Sequence, residues 1–371
     1  MKIFLCSSVE LSRFAKRLID RLEEEGHLVV ESFVTSEKSY RSSKNFWMTK
    51  AHRLNQYLLY PIKLTATLIY SYFKKEKAIF IVTTNTFFAP LLSTFFNKRV
   101  IHLVYDLFPE AMIHSGKWKE GQLRVKFFRG LVGLSLNRSA INIFLGERLK
   151  NYVESIHGSI PNSKIIAVGA DEAPFRKLES LECCQSIRVL YCGNFGNMHE
   201  SKTLFDAFHE GTSDSFQFLF HCSGPKRKDL ELFQKKHEVE LGGRLQVNGG
   251  LLNEDWIKVM QSSQIALVTM SEGSQEVVMP SKVYSAMMAG QAILAIAPEN
   301  SDLVDLINSF NCGWWVAPGD VVGFQECLST IQSDKNLLLE KRQNAYRVAH
   351  KQFGQDYLAK QWGKVFESLQ S

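Results

Sequence analysis

The feature that most constrains this chain is an alternation of short apolar runs and helical stretches that plays through once and then starts again. The first pass opens with the run Met1–Cys6, a helical pattern from Ser12 to about Glu25, a stop at Gly26 and a second run, His27–Val34. Strand, helix, glycine, strand is a βαβ opening. Further strand-like runs fall at Ala78–Thr83, Val100–Tyr105, Ala140–Leu145 and Lys164–Val168, with helical stretches between them. The second pass restarts at Ile187–Cys192. It continues through Phe216–Cys222, Leu245–Gly249, Ile265–Met270, Ala292–Ala297 and Gly313–Val316. Parallel strands need crossover helices, so the pattern predicts an α/β fold with two Rossmann-like, doubly wound domains. The polar, aperiodic segment Asp171–Ser186 reads as the linker. That places the first domain over 1–171 and the second over 187–354. A last helix over 355–371, bearing Tyr357, Trp362 and Phe366, is expected to cross back to the first domain. Ligands of such sheets bind beyond the strand carboxyl ends, so two such domains facing each other would enclose the active site in a cleft.

At 371 residues the chain is long enough for two domains and for a core that needs no staples. Its seven cysteines are odd in number, show no CxxC pair and lie partly in apolar runs. Reduced thiols in a cytosolic protein are expected, rather than a disulfide frame or a zinc knuckle. The N-terminus runs straight into a charged helical pattern, without the apolar stretch and cleavage site of a signal peptide.

Charge is unevenly spread. Residues 1–170 hold 25 basic and 13 acidic side chains, and the remainder 19 and 25. A basic half suits an anionic surface, either nucleic acid or membrane. With no RRM, KH or zinc-finger signature, nucleic acid is not expected as a partner. The stretch Tyr40–Lys77 sharpens the point, with eight basic residues, one acid and many aromatic and aliphatic side chains between them. Pro61 and Lys63 interrupt it, so it cannot span a bilayer. A basic, aromatic, amphipathic stretch reads as interfacial, which implies peripheral association with the inner face of the cytoplasmic membrane. The alternative is a pair of surface helices packing an aromatic face on the first domain.

Four segments carry candidate chemistry. In Ile187–Phe208 a strand runs into Gly193–Gly196 and then a helix, so backbone N–H groups can approach a phosphate, or the glycines simply make a tight turn. In Ser271–Gly290, Pro280 suits an early helix position and Ser281 can cap or bind through its hydroxyl. Lys282 then stands in the first turn, unfavourably for the helix dipole unless an anion is present. In Val100–Ala111 a strand leads to Tyr105, Asp106, Pro109 and Glu110, either lining a site or serving the turn. His102, inside that apolar strand, reads as a core histidine. In His221–Leu230 a strand and Gly224–Pro225 precede three successive bases; Lys226 or Arg227 could reach a phosphate, or the turn could simply be exposed and basic.

Together these segments resemble the family 4 glycosyltransferases, retaining enzymes of the two-domain GT-B type, over nearly the whole chain. VYDLFPEA resembles the segment of bacterial members that build O-antigen and capsule on undecaprenyl diphosphate. LYCGNFG, CSGPKRKDL and KIIAVGADEAPF resemble three further passages. The most specific is VMPSKVYSAMMAGQAILA, with its P-S-K-x-Y start. The resemblance implies transfer of a sugar from a nucleotide-sugar donor to a lipid-linked glycan acceptor in surface polysaccharide synthesis, with retention and with no metal or other cofactor. It implies catalytic roles for Asp106 and Lys282. Donor binding would fall to Gly193, Asn194, Gly196, Arg227, Gly250, Leu251, Pro280, Ser281 and Lys282. Tyr105, Asp106 and Glu110 would stand on the acceptor side. There are four departures from the family pattern. Tyr105 stands where a His is common, and Asn194 and His199 where Arg and Lys are. Val277 and Ser285 stand where a Glu pair falls, and Ser7–Ser8 replaces a Gly-Gly opening. A UDP-N-acetylglucosamine 2-epimerase and a non-catalytic GT-B subunit partnering another transferase are the rival readings.

Overall fold

The computed structural model describes residues 1–11, 13–36, 39, 46–75, 77–84, 86–105, 107–114, 116–175, 186–211, 213–251 and 253–369. Two compact units divide the chain, Met1–Ala167 with Gln355–Ser371, and Val168–Gly354. Each is built on one parallel six-stranded sheet.

The first sheet contains β1 (Lys2–Cys6), β2 (Leu28–Ser32), β3 (Ala78–Thr83), β4 (Val100–Val104), β5 (Ile141–Phe144) and β6 (Ser163–Ile165), in the order β2-β1-β3-β4-β5-β6. The second contains β7 (Ile187–Asn194), β8 (Phe216–Ser223), β9 (Leu245–Asn248), β10 (Ile265–Thr269), β11 (Ala292–Ile296) and β12 (Gly313–Val316), in the order β12-β11-β10-β7-β8-β9. The central strands explain their own placement. Every residue of β3, β4, β10 and β11 is buried, as expected of parallel strands covered on both faces by helices. Both sheets reverse direction beside their first strand, between β1 and β3 and between β7 and β10. Those reversals are the points where doubly wound sheets bind ligands.

In the first unit a helix over Arg13–Glu24 joins β1 to β2, and β3 follows the helices Phe46–Leu54 and Tyr60–Phe73, which a five-residue π-helical stretch, Asn55–Leu59, connects. The terminal helix Gln355–Glu367 is part of this unit. Its Leu358, Trp362, Val365 and Phe366, at helical spacing, pack with Ile3, Leu22 and Ile81. His102 lies in the middle of β4 and is fully enclosed, and burial holds its pKa down to about 3, so it is a neutral core residue.

In the second unit Phe216, Phe218, Phe220 and Cys222 alternate along β8 into a core shared with Val189, Tyr191 and Leu267. The segment expected as a linker begins inside this unit. Phe175 is buried, with its ring 5.4 Å from that of Trp256, and Ala170 bridges to Gly354. Residues 176–185 lie outside the described residues. The five cysteines described are free. Among the described residues no helix is long and apolar enough to cross a membrane.

Candidate active site

The second unit brings its predicted segments together at the reversal between β7 and β10. β7 ends in Gly193, which takes φ +130°, and Asn194. The turn after β8 lies directly against the turn after β7. A Cβ on Gly224 would stand 2.4 Å from Asn194 Oδ1 and 2.7 Å from the Phe195 carbonyl, so only glycine fits there. Lys226 N–H donates to the Phe195 carbonyl at 3.1 Å, and Ser271 N–H, just beyond β10, donates to the Met198 carbonyl at 2.9 Å. Three strand ends therefore hold one loop, residues 195–201.

The helix Lys282–Met288 faces that loop. Its start differs from the sequence expectation. Pro280 is buried and precedes the cap rather than entering the helix, and Ser281 sits at the cap without a side-chain hydrogen bond. Seven residues long, the helix has little dipole to set against an anion. The lysine's surroundings favour an anion more strongly than the helix does. The Lys282 Nζ stands 3.7 Å from the centre of the Tyr191 ring and 3.3 Å from His199 Nε2. Desolvation lowers its pKa to about 7, and the only ionisable groups that raise it again are the thiols of Cys192 and Cys222. No carboxylate answers this cation among the described residues. Lys282 borders a cavity of about 80 Å³ lined by Cys192, Trp256, Ser285 and Gln291 among apolar side chains.

The other predicted donor residues scatter around this point. Gly196 is buried and gives its N–H to His199 Nδ1 at 3.2 Å. Asn194 packs its amide against Gly196 and Gly224, and its carbonyl accepts from the Tyr191 hydroxyl at 2.8 Å. Arg227 is tied to Glu231 at 2.7 Å, with its Nη1 beside Gly249, and Lys226 donates to the His199 carbonyl. Gly250 is exposed and Leu251 half-buried in the loop after β9.

The first unit treats its candidates differently. Glu110 was expected to line a site. It is instead fully enclosed, its Oε1 accepting from Arg129 Nε at 2.7 Å, and Arg129 in turn holds Glu120 at 3.0 Å. A carboxylate so placed is part of the scaffold. Tyr105 packs against the core below its sheet, and burial drives its hydroxyl pKa upward. Asp106 lies outside the described residues. Sequence reasoning missed the closeness of His199 and Lys282, 83 residues apart. The available signal was that each stands between a strand flanking the reversal and the body of the helix that follows it.

One group of described side chains could hold a divalent ion. His209, His237 and Glu240 place their ligand atoms within 4.8 Å of one another, and His237 Nδ1 lies 2.6 Å from Glu240 Oε2. His209 and His237 stand at the far ends of helices that leave β7 and β8, so this group belongs to the amino ends of the strands, opposite Lys282.

Residues 186–334 match the family model described as Glycosyl transferases group 1. Over 309 residues the chain is 22% identical to WbjE of Pseudomonas aeruginosa, described as a probable glycosyltransferase, covering 78% of this chain and 74% of that one. Among solved structures it resembles HepE of Anabaena in complex with UDP, with a TM-score of 0.71 at 15% identity over 99% of both chains. It also resembles WaaG, a glycosyltransferase involved in lipopolysaccharide biosynthesis, with a TM-score of 0.66 at 14% identity over 96% of this chain and 98% of that one. The fold is GT-B. The group 1 domain, taken with these relatives, indicates a glycosyltransferase.

Proposed function

We propose that this chain moves a sugar from a nucleoside-diphosphate donor, with retention of configuration, to a lipid-linked glycan acceptor of the undecaprenyl diphosphate kind in the synthesis of a surface polysaccharide. The observation that carries the donor half is Lys282, an enclosed amine with an aromatic ring and an imidazole beside it and, among the described residues, no acid. Charging an enclosed amine without a counter-charge is costly, and an arriving diphosphate removes that cost. Backbone at Gly193–Gly196 and the Ser281 hydroxyl would add donors, and the base would rest against Gly250–Leu251, with Arg227 beside it.

The reaction breaks the bond between the anomeric carbon and the diphosphate oxygen, whose electron pair stays with the leaving group. The acceptor oxygen bonds to the same face and gives up its proton to the departing diphosphate oxygen. Charge gathers on the diphosphate as the bond breaks, so Lys282 would act most strongly in the transition state. We propose that no metal takes part; among the described residues no carboxylate lines the cavity beside Lys282. Turnover should be unchanged by EDTA, and its loss would restore a metal to the mechanism.

The acceptor half rests on the surface of the first unit. Trp47, Leu58, Ile62, Tyr72 and Phe73 are exposed along Phe46–Phe73, and Lys50, Arg53 and Lys74 lie among them. Such a face suits an anionic bilayer, and would bring the enzyme to the cytoplasmic side of the membrane where a lipid-linked acceptor is reached. The test is product analysis with UDP-, GDP- and dTDP-sugars and a polyprenyl diphosphate glycan. A lengthened glycan is expected. Free N-acetylmannosamine from UDP-N-acetylglucosamine would indicate an epimerase instead, and nucleotide-sugar binding without turnover a non-catalytic subunit.

A further inference from the structure

We propose that His199 is a second side chain for the donor diphosphate, held ready as its Nε2–H tautomer, and that it exchanges the Lys282 amine for a phosphate oxygen as the lysine takes up a proton on donor binding. This rests on the reading above that a diphosphate docks at Lys282.

The backbone fixes the tautomer. Gly196 N–H points at His199 Nδ1 from 3.2 Å. An N–H can only donate, so Nδ1 must present its lone pair, and the ring hydrogen sits on Nε2. An imidazolium would set a second N–H against the first. The other side of the ring then fixes the lysine. Nε2 is 3.3 Å from Lys282 Nζ, and an N–H facing an ammonium is donor against donor. The contact is a hydrogen bond only when the amine is neutral and its lone pair accepts from Nε2–H. The geometry therefore describes a neutral pair. Desolvation supports it from both ends, holding His199 to about 3 and Lys282 to about 7.

The groups facing this pair come from every element around it. β7 supplies the Tyr191 ring and the Cys192 thiol, and β8 supplies Cys222. From the turn after β8, Lys226 holds the His199 carbonyl, and its charge further disfavours an imidazolium. Arg227 and Glu231 answer each other beyond Cys222. Glu200, next to the histidine in sequence, is occupied at 2.8 Å by the Thr203 N–H. Nothing in this set stabilises an ammonium as a diphosphate would.

When the diphosphate arrives, Lys282 gains a proton from solvent and turns three N–H groups to the phosphates. Its lone pair is then gone, so His199 Nε2–H is released to a second oxygen. No bond other than N–H is made. The histidine thus replaces the basic residue common at its position with a neutral donor, and keeps the amine paired while the pocket is empty.

Calorimetric titration of the full chain with UDP at pH 8, where the diphosphate is already fully ionised, in two buffers of different ionisation enthalpy reads the proton directly. Uptake approaching one proton per UDP is expected, and binding with no uptake overturns the linked lysine. His199→Phe keeps a ring but loses its donor, and should weaken UDP by about ten- to a hundredfold, as loss of a hydrogen bond to a charged group does. His199→Gln should restore most of that. Wild-type affinity in His199→Phe overturns the contact. Nitrogen-15 spectra of the ligand-free protein give an independent reading: His199 should hold the Nε2–H form from pH 6 to 8, and titration near 6.5 or an Nδ1–H form overturns the pair whatever UDP does. If UDP, GDP and dTDP all fail to bind while the tautomer stands, it is the donor reading that has failed, and the exchange falls with it.

Discussion

Glu110 and Lys282 stand at the starts of short helices in the two units and meet opposite fates. Each opens a short helix beyond a central strand, and each is an ionisable group drawn away from water. Glu110 is answered at 2.7 Å by Arg129, which reaches on to Glu120. Lys282 is answered by an aromatic ring and an imidazole. A buried charge with its counter-ion in place is scaffold. One left without it marks where a ligand of opposite charge belongs.

Truncating the cation of each pair should break the two sites in different ways. Arg129→Ala strands the Glu110 carboxylate and should cost about 3–5 kcal/mol of stability, the usual penalty for removing one member of a buried pair. Urea denaturation measures it, and a loss under about 1 kcal/mol would mean that Glu110 is not held by this contact. Lys282→Ala should leave the urea midpoint unchanged or higher, because the mutation removes a desolvated amine. Turnover should instead fall by about 10²–10³-fold, the effect of deleting one preorganised donor to a developing anion. A variant that keeps wild-type turnover would end the diphosphate role. One that unfolds would make Lys282 resemble Arg129 and erase the comparison.

That contrast also marks how far the sequence could be read. The runs that became β3, β4, β10 and β11 were legible because strands buried on both faces are continuously apolar, and the turns were legible because glycine and proline have few alternatives. The partners of charges were not. Arg129 is 19 residues from Glu110 on a different helix, and His199 is 83 from Lys282. Periodicity reports which face of an element is buried and is silent on which long side chain reaches across. Reading Glu110 as lining a site failed for that reason, while Lys282 was singled out by a dipole argument that its seven-residue helix barely supports.

A second contrast lies within the first unit, between two aromatic helices. Gln355–Glu367 buries Trp362 and Phe366, whereas Tyr60–Phe73 buries Tyr60, Leu64 and Leu68 and leaves Ile62, Tyr70, Tyr72 and Phe73 exposed. Replacing Lys50 and Arg53 with Gln should weaken binding to anionic vesicles by about 1 kcal/mol each. Lys63 should matter less, because its Nζ already donates to the Phe33 carbonyl at 2.7 Å. Unchanged co-sedimentation in the double variant would reduce this face to ordinary exposed packing.

The finest contrast is between two serines at helix starts. Ser301 is buried, extended at φ −129°, and its hydroxyl accepts from Val304 N–H, with Asp302 and Asp305 in the first turn behind it. Ser281 is exposed, helical at φ −56°, and caps nothing, with Lys282 where an acid would help. Ser301→Ala should therefore cost about 1 kcal/mol in urea denaturation. Ser281→Ala should stay within about 0.5 kcal/mol, and any weakening should appear in UDP affinity. If both serines cost the same stability, Ser281 serves the helix. If Ser281 costs affinity alone, the Pro-Ser-Lys start is shaped for the diphosphate, at the expense of the helix it opens.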